Sequence, residues 1–562
     1  MGKKWQIAGK VTKDPLDELL RIRGLVTPKD RELFLNPPNP VTLSPKDVGI
    51  DGAELGQVLK RITKAIEKKE SIVVYADYDA DGITAGAVMW ETLWKLGARV
   101  MPYIPHRAEE GYGLSVKGID AVREQYDPTL IITVDHGITA HEKVAYAKTL
   151  GIDVIVTDHH VKPDKVPDCL LVHTTQLAGS GVSWFVAKTL LLSTPGVDEA
   201  GTSKATLSHS GSTPGVEAMD LLALAALGTI ADLVPLTGAN RAIAKYGMAA
   251  MKTTHRVGLN ALMADAGITK EGIETYMISH MLAPRLNAMG RLEHALDALR
   301  LLCTTDEAKA KVLAEKLGMT NKERQQLTED TVVHAHTILP DTSKKLIFIA
   351  HESYNQGIIG LVAGKLVEEY YRPAIVIAKG GEFSKASARS ITGFNIIEAI
   401  RTCTDLLVDA GGHPMAAGFT VETKKIEKLK TKMEKLAEKV LRDELLIRTL
   451  KIDMEIPVTM IKETLWKQIQ SMAPFGIGNP EPVFASKNVK LTDTRLIGAT
   501  KKHLKFKVNT PIGPIDAIGF NMADIQTKLK PGEPVDVAYT IDMNEWNGRR
   551  NIQLKVRDIL VG

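Results

Sequence analysis

Residues 72–84 read IVVYADYDADGIT, an apolar run that ends in three alternating aspartates, Asp77, Asp79 and Asp81. Ile72, Val73, Val74 and Tyr75 have the character of a buried strand, and Gly82 punctuates it. Alternate residues of an extended segment share a face, so the three carboxylates are expected to point the same way. Like charges packed that closely repel, and burying them uncompensated is costly. A divalent cation is the simplest counter-charge.

Outward from this stretch, helix and strand signals alternate. A helix pattern over 55–68 precedes the strand 72–76. Helix 84–96, strand 99–104, helix 116–125, strand 130–134, helix 139–150 and strand 153–157 follow. This rhythm predicts a parallel sheet covered on both faces, with ligands gathering outside the carboxyl ends of its strands. Those ends carry chemistry: Asp135 and His136 close LIITVDHG, Asp158, His159 and His160 close DVIVTDHH, and the helix LLALAALGTIADLVP delivers Asp232. An isolated aspartate after a strand is commonly a helix cap or turn residue, and Asp135 and Asp158 are open to that reading. His136 is equally open to being a plain loop histidine. Caps require neither consecutive histidines nor alternating aspartates. Three strand ends plus Asp232, mixing oxygen and imidazole donors, suggest a paired divalent-metal site, and the carboxylate excess favours Mn2+ or Mg2+ over zinc.

The 562-residue chain is long enough for several domains, with 44% hydrophobic and 25% charged residues. A net charge of +4 confines any nucleic-acid binding to a local basic surface. Cys169, Cys303 and Cys403 form no CxxC pair, which argues for a reducing compartment and against a zinc knuckle. The N-terminus lacks an apolar core of signal-peptide length, and the most apolar run carries Asp232, so a cytoplasmic protein without a membrane span is expected. Residues 1–50, with NPPNP near their end, read as an irregular extension. Segment 193–217, with STPGVD echoed by STPGVE, reads as a surface loop. Residues 240–340 read as mostly helical, ending in a long charged connecting helix. A second α/β unit follows, with strands at 346–350 and 374–378 and a helix at 358–370. From about 450, short strands separated by Gly, Pro and Asn turns suit a small Greek-key barrel of the OB type.

DYDADG, TVDHG, TDHH and GTIADLVPL are, in order, motifs that resemble those of the DHH phosphoesterase superfamily. PHRAEEGYGL (105–114), APRLNAMGRL (283–292), GIIGLVAGKL (357–366), SARS (387–390), GGHPMAAGF (411–419) and PFGIGNPEPVF (474–484) extend the resemblance to its RecJ family of single-strand-specific exonucleases. The resemblance runs from about residue 20 to the end. It implies an α/β enzyme with a DHH lobe and a DHHA1 lobe across a cleft, a helical connector and a C-terminal all-β OB-type barrel. The divisions expected are an extension at 1–50, the DHH catalytic domain at 51–240, the connector at 241–340, the DHHA1 domain at 341–445 and the OB domain at 446–562.

By matching motifs, Asp79, Asp81, Asp135, His159 and Asp232 would hold two divalent ions, Mn2+ or Mg2+, with Asp77 the least direct ligand. Asp81, Asp135 and His160 would be catalytic, and Asp158 would orient a histidine or cap a turn. Arg107, Arg285, Ser387, Arg389, Gly411, Gly412 and His413 would hold the phosphate of a 5′ end. His503, Lys505, Phe506, Lys507, Trp546, Arg549 and Arg550 would grip the strand farther from the cut. The activity implied is 5′-to-3′ hydrolysis of single-stranded DNA to mononucleotides in repair and recombination. A monomer is expected, with a single-strand-binding protein and a RecQ-type helicase as candidate partners.

Two departures stand out. The second motif commonly reads Asp-Asn-Gly, where this chain has Asp135-His136-Gly137, and segment 193–217 falls between the third and fourth motifs. Two rival readings share the motifs: a phosphodiesterase for short oligonucleotides or cyclic dinucleotides, and a catalytically inactive replication scaffold.

Overall fold

In the strand Ser71–Ala76, Ile72 and Val74 face one side, Val73 and Tyr75 the other, and all four are fully buried. A strand buried on both faces needs cover above and below, which a parallel βαβ arrangement supplies. The computed structural model has that arrangement. It describes residues 3–107, 109–193, 214–339, 344–511, 513–530, 532–546 and 548–561, the side chains of 214–216, Trp546 and Arg549 excepted.

Five parallel strands run in the order Arg99–Tyr103, Ser71–Ala76, Leu130–Val134, Asp153–Asp158, Leu170–His173. Helices Ala80–Lys95, Gly179–Ser193 and Pro214–Ala231 share a core with Ile72, Val74, Ile132 and Val134. Helices Val116–Tyr126 and His141–Thr149 cover the opposite face with Val73, Tyr75 and Ile131.

The extended alternation expected of Asp77, Asp79 and Asp81 does not persist. The strand stops at Ala76 and the next helix starts at Ala80 rather than residue 84. Asp79 is its N-cap, accepting from the Asp81 and Gly82 amides at 3.0 Å each, and Asp81 lies in the first turn. Such a cap stabilises a helix by about 1 kcal/mol.

Segment 193–217 is also corrected. Ser193 closes one helix, and Pro214 opens the next at a position where proline's missing N–H costs nothing. The rest of that expected loop, 194–213, lies outside the described residues. Residues 1–50 are not irregular either. The strand Lys4–Gly9 pairs in parallel with Thr449–Glu455, and helices Pro15–Ile22 and Pro28–Leu35 are capped by Asp14 and Thr27.

The chain sorts into two compact units, 25–321 with 471–481, and 1–24 with 322–470 and 482–562. Leu259, Leu286 and Leu299, from helices expected to belong to a connector, join the core of the parallel sheet. The chain passes from one unit to the other within the 32-residue helix Glu307–Ile338.

The second unit holds two further sheets. One runs Leu407–His413, Ala416–Glu422, Phe383–Arg389, Ala374–Ala378, Ile347–His351, antiparallel except for its last pair. The other has eight strands. It contains the five read from sequence, extended by Lys4–Gly9, Thr449–Glu455 and Phe484–Val489. Among the described residues no helix is long and apolar enough to cross a membrane.

Candidate metal centre

Three overlapping groups of donor atoms gather at the carboxyl edge of the parallel sheet: Asp77, Asp79 and Asp135; Asp135, His159 and His160; Asp81, His159 and Asp232. His159 Nε2 faces Asp135 Oδ1 at 3.1 Å and Asp232 Oδ2 at 3.6 Å. Asp135 Oδ1 and His159 Nε2 are buried and, at that approach, lack hydrogen-bond geometry to any partner. Two orphaned donor atoms facing each other among carboxylates are what a cation site requires. The residues present therefore fit divalent ions.

Each side chain is placed by its backbone. Asp135 has φ +66°, a left-handed conformation that aspartate tolerates better than most residues. It is not a helix cap, because the following helix begins at His141 behind Ala140. Asp158 accepts from the Ile138 amide at 2.8 Å and from the His159 and His160 amides at 2.7 and 3.0 Å. Its Oδ1 also sits 2.8 Å from His160 Nδ1, so it both ties the turn and orients a histidine. Asp81 is gripped by the amides of Gly179 and Ser180, at 2.6 and 3.0 Å, which open the helix Gly179–Ser193.

Several positions that matter here were not singled out from sequence. A Cβ on Gly179 would lie 2.3 Å from Asp135 Oδ1, and one on Gly228 would lie 2.5 Å from Asp81 Oδ1. Both glycines let a second helix approach the carboxylates; Gly228 opens the quoted GTIADLVPL motif, whereas nothing around Gly179 announces its role. Asn287 Oδ1 accepts from the Ala80 amide at 2.7 Å, securing the aspartate-bearing turn. Tyr112 OH lies 3.4 Å from His160 Nε2, and the Tyr112 ring packs edge-on to Tyr78. Asn287 and Tyr112 both sit inside quoted motifs, which was the available signal.

His136 is buried and neutral. Its Nε2 bonds the Tyr75 carbonyl at 3.0 Å, and burial lowers its pKa to about 4. Its ring belongs to the packing beneath the turn, edge-on to Tyr75.

Burial, then repulsion from neighbouring carboxylates, raises Asp77, Asp79 and Asp135 above the ordinary carboxylate range. The same causes push Asp232 up to about 9, with Asp81 its strongest charged neighbour. Burial lowers His159. Burial would lower His160 too, but its hydrogen bond to Asp158 and that carboxylate's charge outweigh burial and raise it. Without added positive charge the cluster can ionise only at a cost.

Residues 71–225 match the DHH family, N-terminal domain, 343–439 the DHHA1 domain and 452–558 the RecJ OB domain. The single-stranded-DNA-specific exonuclease RecJ of Bacillus subtilis (strain 168) is 37% identical, over 97% of this chain and 67% of that protein. The Salmonella typhimurium protein of the same name is 32% identical, over 91% of this chain and 90% of that one. The crystal structure of RecJ in complex with Mn2+ from Thermus thermophilus superposes with a TM-score of 0.82. It is 28% identical and covers all of this chain and 80% of that one. The chain belongs to the RecJ family of exonucleases.

In this RecJ-family chain the remaining expected residues fare unequally. Ser387 and Arg389 lie on the strand Phe383–Arg389, whose register sets Ser387 against Gly418 and Gly411, and Arg389 against Ala416 and His413. Residues opposed in register share a face, so these four candidates line two rows separated only by small residues. Arg389 Nη1 donates to Ser387 Oγ at 3.1 Å, and a Cβ on Gly360 would come within 3.0 Å of both side chains. Gly412, at φ +141°, would place a Cβ 2.4 Å from the Ala416 carbonyl, so the hairpin itself requires glycine there. Arg107 is exposed and stands 5.1 Å over the Tyr78 ring.

Arg285 is anchored: its Nε donates to Asp265 Oδ2 at 2.8 Å and its Nη1 to the Met281 carbonyl at 2.8 Å. Phe506, expected to stack on a base, is a correction: it is fully buried with Leu504 and Val508 and has no exposed face. Among the described residues there, Phe520 is an exposed aromatic, edge-on to His503. Lys505 and Lys507 pair with Asp516 and Asp493 at 3.5 and 3.4 Å, and Arg550 with Glu545 at 2.8 Å. Trp546 and Arg549 pair across their hairpin, and their side chains lie outside those described.

Proposed function

We propose that this chain is a metal-dependent exonuclease that degrades single-stranded DNA from its 5′ end and releases 5′-mononucleotides, in DNA repair and recombination. The observation that carries the reading is the convergence of three donor groups on Asp135 and His159, in a chain that belongs to the RecJ family. Asp79, Asp81, Asp135, His159 and Asp232 would hold two divalent ions, Mn2+ or Mg2+, with Asp77 behind them. Bound ions supply Lewis-acid charge for a phosphate oxygen and lower the pKa of the attacking water.

The chain's own groups do the rest. The Asp158 carboxylate holds His160 Nδ1 as the protonated nitrogen. The same carboxylate favours the imidazolium form, whose Nε2–H would donate to the phosphate or protonate the departing 3′-oxygen, with Tyr112 OH beside it. Ser387, Arg389, Gly411 and His413 take the terminal 5′ phosphate through a guanidinium fork, a hydroxyl, an imidazole and open backbone. The barrel's Phe520 and His503 offer stacking surface for bases downstream. A monomer in the cytoplasm, supplied with single strands by a RecQ-type helicase and a single-strand-binding protein, completes the reading.

The polarity test uses one single strand labelled at 5′ or at 3′ and incubated with Mn2+. Label leaves the 5′-labelled strand first as a mononucleotide. Earlier release from the 3′ label overturns the polarity.

A further inference from the structure

The turn that carries Asp232 does not hold itself. Asp232 follows the helix Pro214–Ala231 by one residue, and the next residue, Leu233, has φ +62° with its side chain 59% exposed. A left-handed leucine costs about 1–2 kcal/mol, and here its own side chain recovers little by burial. Something else must fix the backbone.

That support comes from far along the chain, from PFGIGNP within 471–481, which groups with the parallel-sheet unit although both its flanks group with the other. The Leu236 amide donates to the Ile477 carbonyl at 2.7 Å. Gly476 approaches Leu236 so closely that a Cβ would fall 2.6 Å from its Cδ1, and Gly478, at φ +78°, would place one 3.1 Å from Pro235 Cβ. The segment keeps its shape through Asn479, which is fully buried and donates Nδ2 to the Met472 and Pro474 carbonyls at 2.8 and 2.9 Å. Gly476 and Asn479 exchange backbone bonds at 2.9 and 3.1 Å.

From the other side the segment is held by Arg241, buried in the helix Gly238–Thr253. Its guanidinium donates to the carbonyls of Phe34, Met472, Ala473 and Pro474 at 2.6, 2.8, 2.8 and 3.1 Å, with the Phe34 ring 3.9 Å away. Neighbouring Asn240 donates to the Pro235 carbonyl and accepts from the Ala178 amide, each at 3.3 Å. Ala178 adjoins Gly179, whose amide grips Asp81. The contacts thus reach two of the carboxylates from one docked segment.

We propose that Met472–Asn479 is a brace that sets the position of Asp232, with Asn479 and Arg241 as positioning residues. The donor cluster of the parallel-sheet unit is then complete only when this C-terminal segment has docked. The proposal rests on the reading of Asp232 as a metal donor.

The test is calorimetric titration of Mn2+ into the full-length, chelator-stripped protein, for Asn479→Ala, Gly478→Ala, Asp232→Asn and Ser486→Ala. Ser486, in the other unit, is a buried hydroxyl bonded to Ile456 and Tyr539 and reports a general loss of packing. Asn479→Ala is expected to weaken Mn2+ binding about tenfold or more, as loss of a group supporting a ligand does. Saturating Mn2+ then restores kcat, with KM for a short single strand unchanged. Ser486→Ala binds Mn2+ as the parent does. A folded Asn479→Ala with parental Mn2+ affinity, or an equal loss in Ser486→Ala, overturns the brace. If Asn479→Ala does not fold, Gly478→Ala decides by the same criteria. Parental Mn2+ affinity in Asp232→Asn overturns the metal-donor reading, and the brace with it.

Discussion

A glycine with no motif of its own decides how close two helices come to the donor cluster. Gly179 brings the N-terminus of its helix against Asp81 and Asp135, and its missing side chain is the reason Asp135 fits. Gly179→Ala should push Asp135 aside, because the new methyl would fall on its Oδ1. The expected outcome is a loss of Mn2+ affinity of about tenfold or more, read by calorimetry, with parental far-UV circular dichroism. Parental affinity would mean that the helix can retreat at no expense to the site. The same logic explains Asp135 itself. Its positive φ was not legible in TVDHG, although Gly137 beside it, at φ +116°, marks the same tight turn.

At the level of elements, period-two alternation was a sufficient guide where it was followed. In HLKFKVN, Leu504, Phe506 and Val508 point into the sheet's core and Lys505 and Lys507 point out. Reading Phe506 as a base-stacking residue set composition above that period. Phe506→Ala should therefore destabilise the second unit by about 3–5 kcal/mol in a urea melt. Phe520→Ala should leave stability near parental and weaken binding of a fluorescent single strand by about 1–3 kcal/mol. Equal effects of the two variants on stability would contradict the assignment. The sheet that carries SARS and GGH makes the converse point. Neither motif says that Ser387 and Gly411, or Arg389 and His413, stand in the same rows, because register is settled by the hairpin Leu407–Glu422 and its neighbour.

Across the whole molecule, charge balance couples the donor cluster to folding. Asp77, Asp79, Asp135 and Asp232 have folded-state pKa values above their unfolded ones, Asp232 at about 9. The folded, metal-free protein therefore binds protons that the unfolded chain has released. The stability these groups contribute is fully present below about pH 4 and is lost as pH rises through their raised pKa values, about 9 for Asp232. Divalent ions displace those protons and reverse the loss. The gap in Tm between Mn2+-loaded and chelator-treated protein is thus expected to widen from pH 6 to about pH 9, read by thermal melts at matched ionic strength. A gap that is constant or narrows over that range would count against the burial of these charges. Because 471–481 groups with the parallel-sheet unit, removing everything after residue 450 would take away more than a strand-binding barrel.

The βαβ rhythm, the acidic and imidazole strand ends, the family and the OB-type strands could all be read from the chain by itself. Each is a local pattern: hydrophobic period, turn chemistry and short motifs that persist whatever the distant packing does. The start of the helix at Ala80, the pairing of Arg285 with Asp265, the glycine clearances beneath Asp81 and Asp135, and the docking of 472–479 against Leu236 belong to the tertiary structure. These depend on which surfaces meet across hundreds of residues, and steric clearance and carbonyl direction at such contacts leave no trace in local sequence.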